Sequence, residues 1–128
     1  MGYRCYVAGP WMHRDEVRVV AQKVRDAGYT VDCRWLDVHD DVALDDPNRE
    51  AFLRAQALAD IEDILASDAF IYVNSMMSEG KAVELGMAIA TLKPIIIIGD
   101  RNNNIFLSLS MPAFPTVEEA LVWMKEER

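Results

Sequence analysis

Ser78-Glu79-Gly80-Lys81-Ala82-Val83-Glu84-Leu85-Gly86-Met87-Ala88-Ile89-Ala90 lies between two apolar runs, Ala69-Phe70-Ile71-Tyr72-Val73 and Pro94-Ile95-Ile96-Ile97-Ile98. Each run is short and bounded by turn residues, so each reads as a buried strand. A strand, a loop with one glycine, a short apolar helix and another strand form a βαβ unit. One acid, Glu84, sits in that helix among Val83, Leu85, Met87, Ala88, Ile89 and Ala90. A helix apolar all round is expected to be buried, and a buried acid must be paired, protonated or at work. Glu84 also falls in the first turns, where unpaired backbone N–H groups and the macrodipole favour an anion.

Upstream, Tyr3 to Ala8 is β-prone and runs into the turn signal Gly9-Pro10. From Asp15 to Ala27 the residues Val17, Val20, Ala21 and Val24 recur at helical spacing, and Gly28 suits the C′ position. Tyr29 to Cys33 reads as a short second strand, and Arg34 to Asp41, polar and without period, as a loop. Asp46-Pro47-Asn48 opens a helix that runs to about Ala66. Leu53, Ala57, Asp60 and Ile64 mark one face of it, so Asp60 is expected to look inward while Glu62 and Asp63 are solvated.

Downstream, Gly99 to Asn104 is a polar loop and a short fifth strand is expected around Met111 to Phe114. Thr116-Val117-Glu118-Glu119 is a capping-box pattern, followed by the stripe Val117, Leu121 and Met124. Strands alternating with helices give a doubly wound parallel sheet of four to five strands in three layers, α/β/α. In such sheets ligands bind beyond the carboxyl ends of the strands. That edge gathers Gly9 to Arg14, Trp35 to Asp41, and Asn74 to Glu84.

The 128 residues fit one domain, 1–128, with a single core. A net charge of −8 argues against a nucleic-acid polymer as partner, yet leaves room for a small phosphate held by N–H groups and local cations. Cys5 and Cys33 lack metal-ligand spacing and read as buried thiols of a reduced compartment. With only two histidines, a multi-histidine metal centre is not expected. No segment approaches the roughly twenty apolar residues that span a membrane, and no charged-then-apolar leader opens the chain, so the expected location is the cytoplasm.

Asp60 and Glu84 are the acids that patterning turns inward. Such a pair suits glycosidic chemistry, one carboxylate as nucleophile and another group managing the leaving group's proton. Tyr6, at the end of the first strand, can orient the nucleophile through its hydroxyl. The plainer alternative is that Asp60 is satisfied by a loop backbone and Glu84 caps its own helix. Gly80 at the helix N-terminus can cradle a phosphate, with Ser78 giving a hydroxyl and Arg14 or Lys81 a charge, although one glycine also makes an ordinary turn. Trp35 can stack on a base or close over the core. His13 and His39 fall in loops and read as surface residues.

Tyr6-Val7-Ala8-Gly9-Pro10-Trp11, Asp60 to Asp68, Gly80 to Gly86 and Lys93-Pro94, in this order and spacing, resemble the nucleoside 2-deoxyribosyltransferase superfamily. The resemblance extends from Tyr3 to about Phe106. It implies a flavodoxin-like enzyme that cleaves an N-glycosidic bond without metal or other cofactor. Glu84 would attack C1′, Asp60 would assist protonation of the base, and Tyr6 would hold Glu84. Base-exchanging members usually carry Asp six residues before the nucleophile; Ser78 stands there instead, as in the nucleoside 5′-monophosphate N-hydrolases, whose Ser contacts phosphate. Arg14 occupies the loop where those hydrolases keep an arginine. The resemblance also implies homodimers or homotetramers in which a neighbour's C-terminal region completes the pocket, through the segment Asn102 to Phe106 with Asn104 and through Ser108 or Ser110.

Three functions follow: a nucleotide N-hydrolase, a nucleoside 2-deoxyribosyltransferase using a free base as acceptor, and a binding module without chemistry. A phosphoacceptor receiver would need Asp where the chain has Asn74.

Overall fold

In the computed structural model, which describes residues 2–38, 42–100, 104–109 and 112–127, both apolar runs are strands at the centre of one sheet. The strands are β1 (Cys5–Ala8), β2 (Ala69–Asn74), β3 (Ile95–Gly99) and β4 (Ala113–Phe114), hydrogen-bonded in that order and all parallel. Ile71 and Ile97 are buried on opposite-facing positions of adjacent strands, as an apolar run covered on both sides requires. The helices are α1 (Arg14–Asp26), α2 (Arg49–Leu65), α3 (Glu79–Ala90) and α4 (Val117–Glu127). α1 packs on α4 over one side of the sheet and α2 packs on α3 over the other, giving the three layers.

The second strand expected over Tyr29 to Cys33 shrinks to one parallel bridge, Arg4 with Thr30. The backbone of Thr30 bonds Tyr3 and Cys5 at 3.0 and 2.8 Å. Beyond it, Cys33 turns inward to accept a hydrogen bond from the Val7 N–H at 3.1 Å, which takes the chain out of ladder geometry. α1 ends as expected: Gly28 has φ of 101°. Its N–H bonds the Arg25 carbonyl and that of Tyr29 reaches Val24, a Schellman closure. Thr116 caps α4 by accepting from the Glu119 N–H at 3.3 Å.

Two expectations about helix faces are corrected. α3 is not buried all round: Lys81, Leu85 and Ala88 face inward while Val83 and Gly86 are exposed. On α2 the inward row is Phe52, Gln56, Asp60 and Ile64; Leu53, half exposed, still borders the cavity beside Asp60, whereas Ala57 is exposed. Asp63 is not solvated. It accepts from the Arg34 backbone N–H at 3.0 Å and pairs with the Arg34 guanidinium at 2.9 Å, which pins the 3-10 turn Arg34–Asp37 against α2. The apolar stretch Ile105–Leu109 is another 3-10 turn, with only Leu107 buried in it. His39, Asn102, Asn103, Ser110 and Met111 lie outside the described residues. Among the described residues, no helix is long and apolar enough to cross a membrane.

Candidate active site

The carboxyl ends of β1 and β2 stop at Gly9 and Asn74, and the loops that leave them diverge to opposite sides of the sheet. A cavity of about 280 Å³ opens there. Gly9, Trp11, Trp35, Phe52, Gln56 and Asp60 form one side of it, and Ser78, Gly80, Lys81 and Glu84 the other. Gly9 is required by close approach: a Cβ on it would lie 2.4 Å from Val17 Cγ2, so any larger residue would push α1 off the sheet.

Tyr6 sits on β1, fully buried and stacked on Phe70 with ring centroids 5.6 Å apart. Its hydroxyl donates to Glu84 Oε2, joining β1 to α3 across 78 positions of sequence. Burial pushes the Tyr6 phenol far above its ordinary range, with the Glu84 charge adding to this, so the group stays a donor. Burial also raises Glu84 to about 8, opposed by the Tyr6 hydrogen bond and reinforced by Asp60. Asp60 is raised to about 6, first by burial, then by Asp63, with Arg34 opposing. Its Oδ1 is buried and finds no protein partner among the described residues. An acceptor atom left bare inside a cavity is costly unless a ligand or solvent meets it.

Ser78 is the N-cap of α3, accepting from the Lys81 N–H at 3.4 Å. The side chain therefore serves the helix and borders the cavity at once. A Cβ at Gly80 would meet nothing within 4 Å, so that stretch of wall faces open space. A second hollow of about 40 Å³, bordered by Tyr72, Asn74 and Asn104, shares Ser78 and Lys81 with the main cavity. Asn104 spends its Oδ1 on the Phe106 N–H at 2.8 Å. Ser108 bonds the Ile105 carbonyl within its own turn.

Trp35 is buried with its indole N–H on the Val7 carbonyl at 3.0 Å, so it closes over the core and still presents an edge to the cavity. Arg14 does not line the cavity. Its guanidinium lies 4.3 Å over the Trp11 ring and donates to the Trp11 carbonyl. His13, on the same turn, meets Ser75 at 2.7 Å. The structure thus brings Tyr6, Asp60, Glu84, Ser78, Gly80, Gly9 and Trp35 together and sets Arg14 and Asn104 at the margins. Trp11, Phe52 and Gln56 border the site without having been singled out for it. The spacing 52, 56, 60 on one helix face was the available signal.

A parallel α/β sheet with two partly buried carboxyls and a tyrosine at its carboxyl edge is an arrangement able to do acid–base and nucleophilic work on a small molecule. The chain belongs to the nucleoside 2-deoxyribosyltransferase family, whose model matches residues 5–120. That family consists of enzymes acting on small nucleosides or nucleotides. Solved structures share the fold. A conserved protein from Enterococcus faecalis V583 is 18% identical, each chain covered over 100% of its length, with a TM-score of 0.74. A 2-deoxyribosyltransferase from Bacillus psychrosaccharolyticus is 21% identical over 92% of this chain and 90% of its own, TM-score 0.65. The CMP N-glycosidase of Clostridium botulinum is 20% identical over 98% and 99%, TM-score 0.59. No curated protein sequence matches the chain.

Proposed function

We propose that the chain hydrolyses the N-glycosidic bond of a nucleoside 5′-monophosphate through Glu84. The observation that carries this reading is the Tyr6 hydroxyl donating to Glu84 inside a cavity that also holds Asp60. One Glu84 oxygen bonds C1′ as the C1′–N bond breaks, and the departing nitrogen takes the Asp60 proton. Water then attacks C1′, gives its proton to Asp60 and frees Glu84, leaving base and sugar 5-phosphate. The developing positive charge at C1′ favours ionised Glu84, offsetting the burial that otherwise favours its protonated form. Ser78, in place of the transferases' Asp, supports a phosphate rather than a bare 5′-hydroxyl, and the open wall at Gly80 leaves space for one.

The test is Glu84→Ala, followed by chromatographic detection of free base. Loss of base release in a folded variant is the expected result, and full activity would overturn the role of Glu84. Base transfer is the second reading, favoured by the family match itself. A new nucleoside formed only when a second free base is supplied would establish it. A subunit contact also belongs to the proposal: Leu58, Ile61 and Leu65 on α2 and Val83 on α3 are 37–64% exposed. A second copy of the chain would cover them, and a monomeric mass in solution would refute that.

A further inference from the structure

Lys81 is 2% exposed, and the reaction described above does not use it. Its Nζ donates to Asn74 Oδ1 at 2.7 Å and to the Met76 carbonyl, and lies 4.5 Å from the Tyr72 ring centroid. An amide oxygen, a carbonyl and a ring face supply partial charge only. Among the described residues Lys81 makes no ion pair. Glu84, one turn on, is committed to Tyr6. Burial accordingly lowers the Lys81 ammonium to about 8. A buried cation surrounded by dipoles is costly, and an aliphatic side chain would fill the same space without that cost. Its position gives the reason: Lys81 and Ser78 form the wall common to both cavities.

We propose that Lys81 is the charge selector of the site. It fixes the loop from Asn74 to Ser78 through two oxygen acceptors, and it leaves uncompensated positive charge behind Ser78. A phosphate ester on the substrate's sugar satisfies that charge, whereas a neutral hydroxyl does not. Lys81 is a positioning residue here, acting through the loop and through its field. The inference rests on the nucleotide reading and names the group that sets its preference for phosphate.

Two variants test it, with calorimetric binding of ribose 5-phosphate and of a matched unphosphorylated nucleoside as readouts. Lys81→Met removes the charge at nearly constant volume. Asn74→Asp keeps an oxygen acceptor on the ammonium and supplies a counter-charge from within, while giving up the amide N–H that Asn74 donates to the Asp100 carbonyl. Both should lose about tenfold or more in affinity for ribose 5-phosphate, the scale of one charge-assisted interaction. Nucleoside affinity should change by less than about threefold on the same scale. Phosphate affinity maintained in Asn74→Asp, where the ammonium is neutralised from within, would overturn the proposal. Should Lys81→Met fail to fold, Asn74→Asp still decides. Wild-type protein that binds ribose 5-phosphate yet releases no base would overturn the glycosidase reading and leave the selector standing. Wild-type protein that releases base while both variants keep their phosphate affinity would overturn the selector alone.

Discussion

Lys81 and Glu84 stand one turn apart on α3, and burial drives each toward its neutral form, the lysine down to about 8 and the glutamate up to about 8. What surrounds them differs. Glu84 meets a tyrosine hydroxyl fixed on β1 and a second carboxyl on α2, so its ionisation is controlled by groups the protein already holds. Among the described residues Lys81 meets neutral oxygens and a ring face, and in the proposed selector its counter-charge comes from the substrate. On the function proposed above, one end of the cavity does chemistry and the other admits a charge.

The comparison breaks most sharply at Glu84. Glu84→Gln should lower kcat by about 10³-fold or more, because Asp60, the other carboxyl lining the cavity among the described residues, is assigned to the leaving group's proton. Asp60→Asn should cost about 10²- to 10⁴-fold, the range of a general acid, with the smallest loss for bases whose ring nitrogen leaves readily. The two carboxyls should give kcat/KM a bell-shaped pH profile with limbs near 6 and 8. The reactive form has Glu84 ionised and Asp60 protonated, so it peaks between those values, and Asp60→Asn should abolish one limb. Tyr6→Phe, which removes only the hydroxyl, should slow base release about tenfold and raise Glu84 further, displacing the profile upward.

These effects have a counterpart in stability. The folded value of Glu84, about 8, lies above its ordinary 4.5, so the folded chain keeps a proton that the unfolded chain releases. The stability tied to this group is complete below pH 4.5 and is lost as pH rises through about 8. Glu84→Gln should therefore melt at a higher temperature than wild type above pH 8 and converge with it in acid. The difference should be on the order of 2–4 kcal/mol. The smallest effect is expected at Gly80, where alanine meets open space within α3 and should raise stability by about 0.5–1 kcal/mol. Its functional consequence should be confined to a weaker KM for phosphorylated substrate.

The central sheet was legible because Ala69 to Val73 and Ile95 to Ile98 are continuous apolar runs, which only a doubly covered parallel strand explains well. The edge beside β1 was not, since one bridge at Thr30 leaves too short a pattern to separate from a loop. On α2 the rows 53–57 and 52–56 are neighbours on the helix surface; of the expected row Leu53, Asp60 and Ile64 reach the cavity or the core and Ala57 does not, while Phe52 and Gln56 complete the inward face. Asp63 is held by Arg34 from a turn 29 positions earlier, a pairing that no local pattern carries. Glu84 stood out as an acid in an apolar helix, but its link to Tyr6 spans 78 positions, and only the fold or the family resemblance joins them. Lys81 reads in the sequence, beside Arg14, as a charge for a phosphate; its burial and its ties to Asn74 and Met76 are what the fold adds.

The most direct measurement of the central claim is chromatographic. The protein is incubated with matched nucleosides and 5′-monophosphates, with and without a second free base, and released base is followed over time. Base release from monophosphates without an acceptor is the predicted result. A clear preference for unphosphorylated nucleosides, or turnover only when an acceptor base is present, would contradict it.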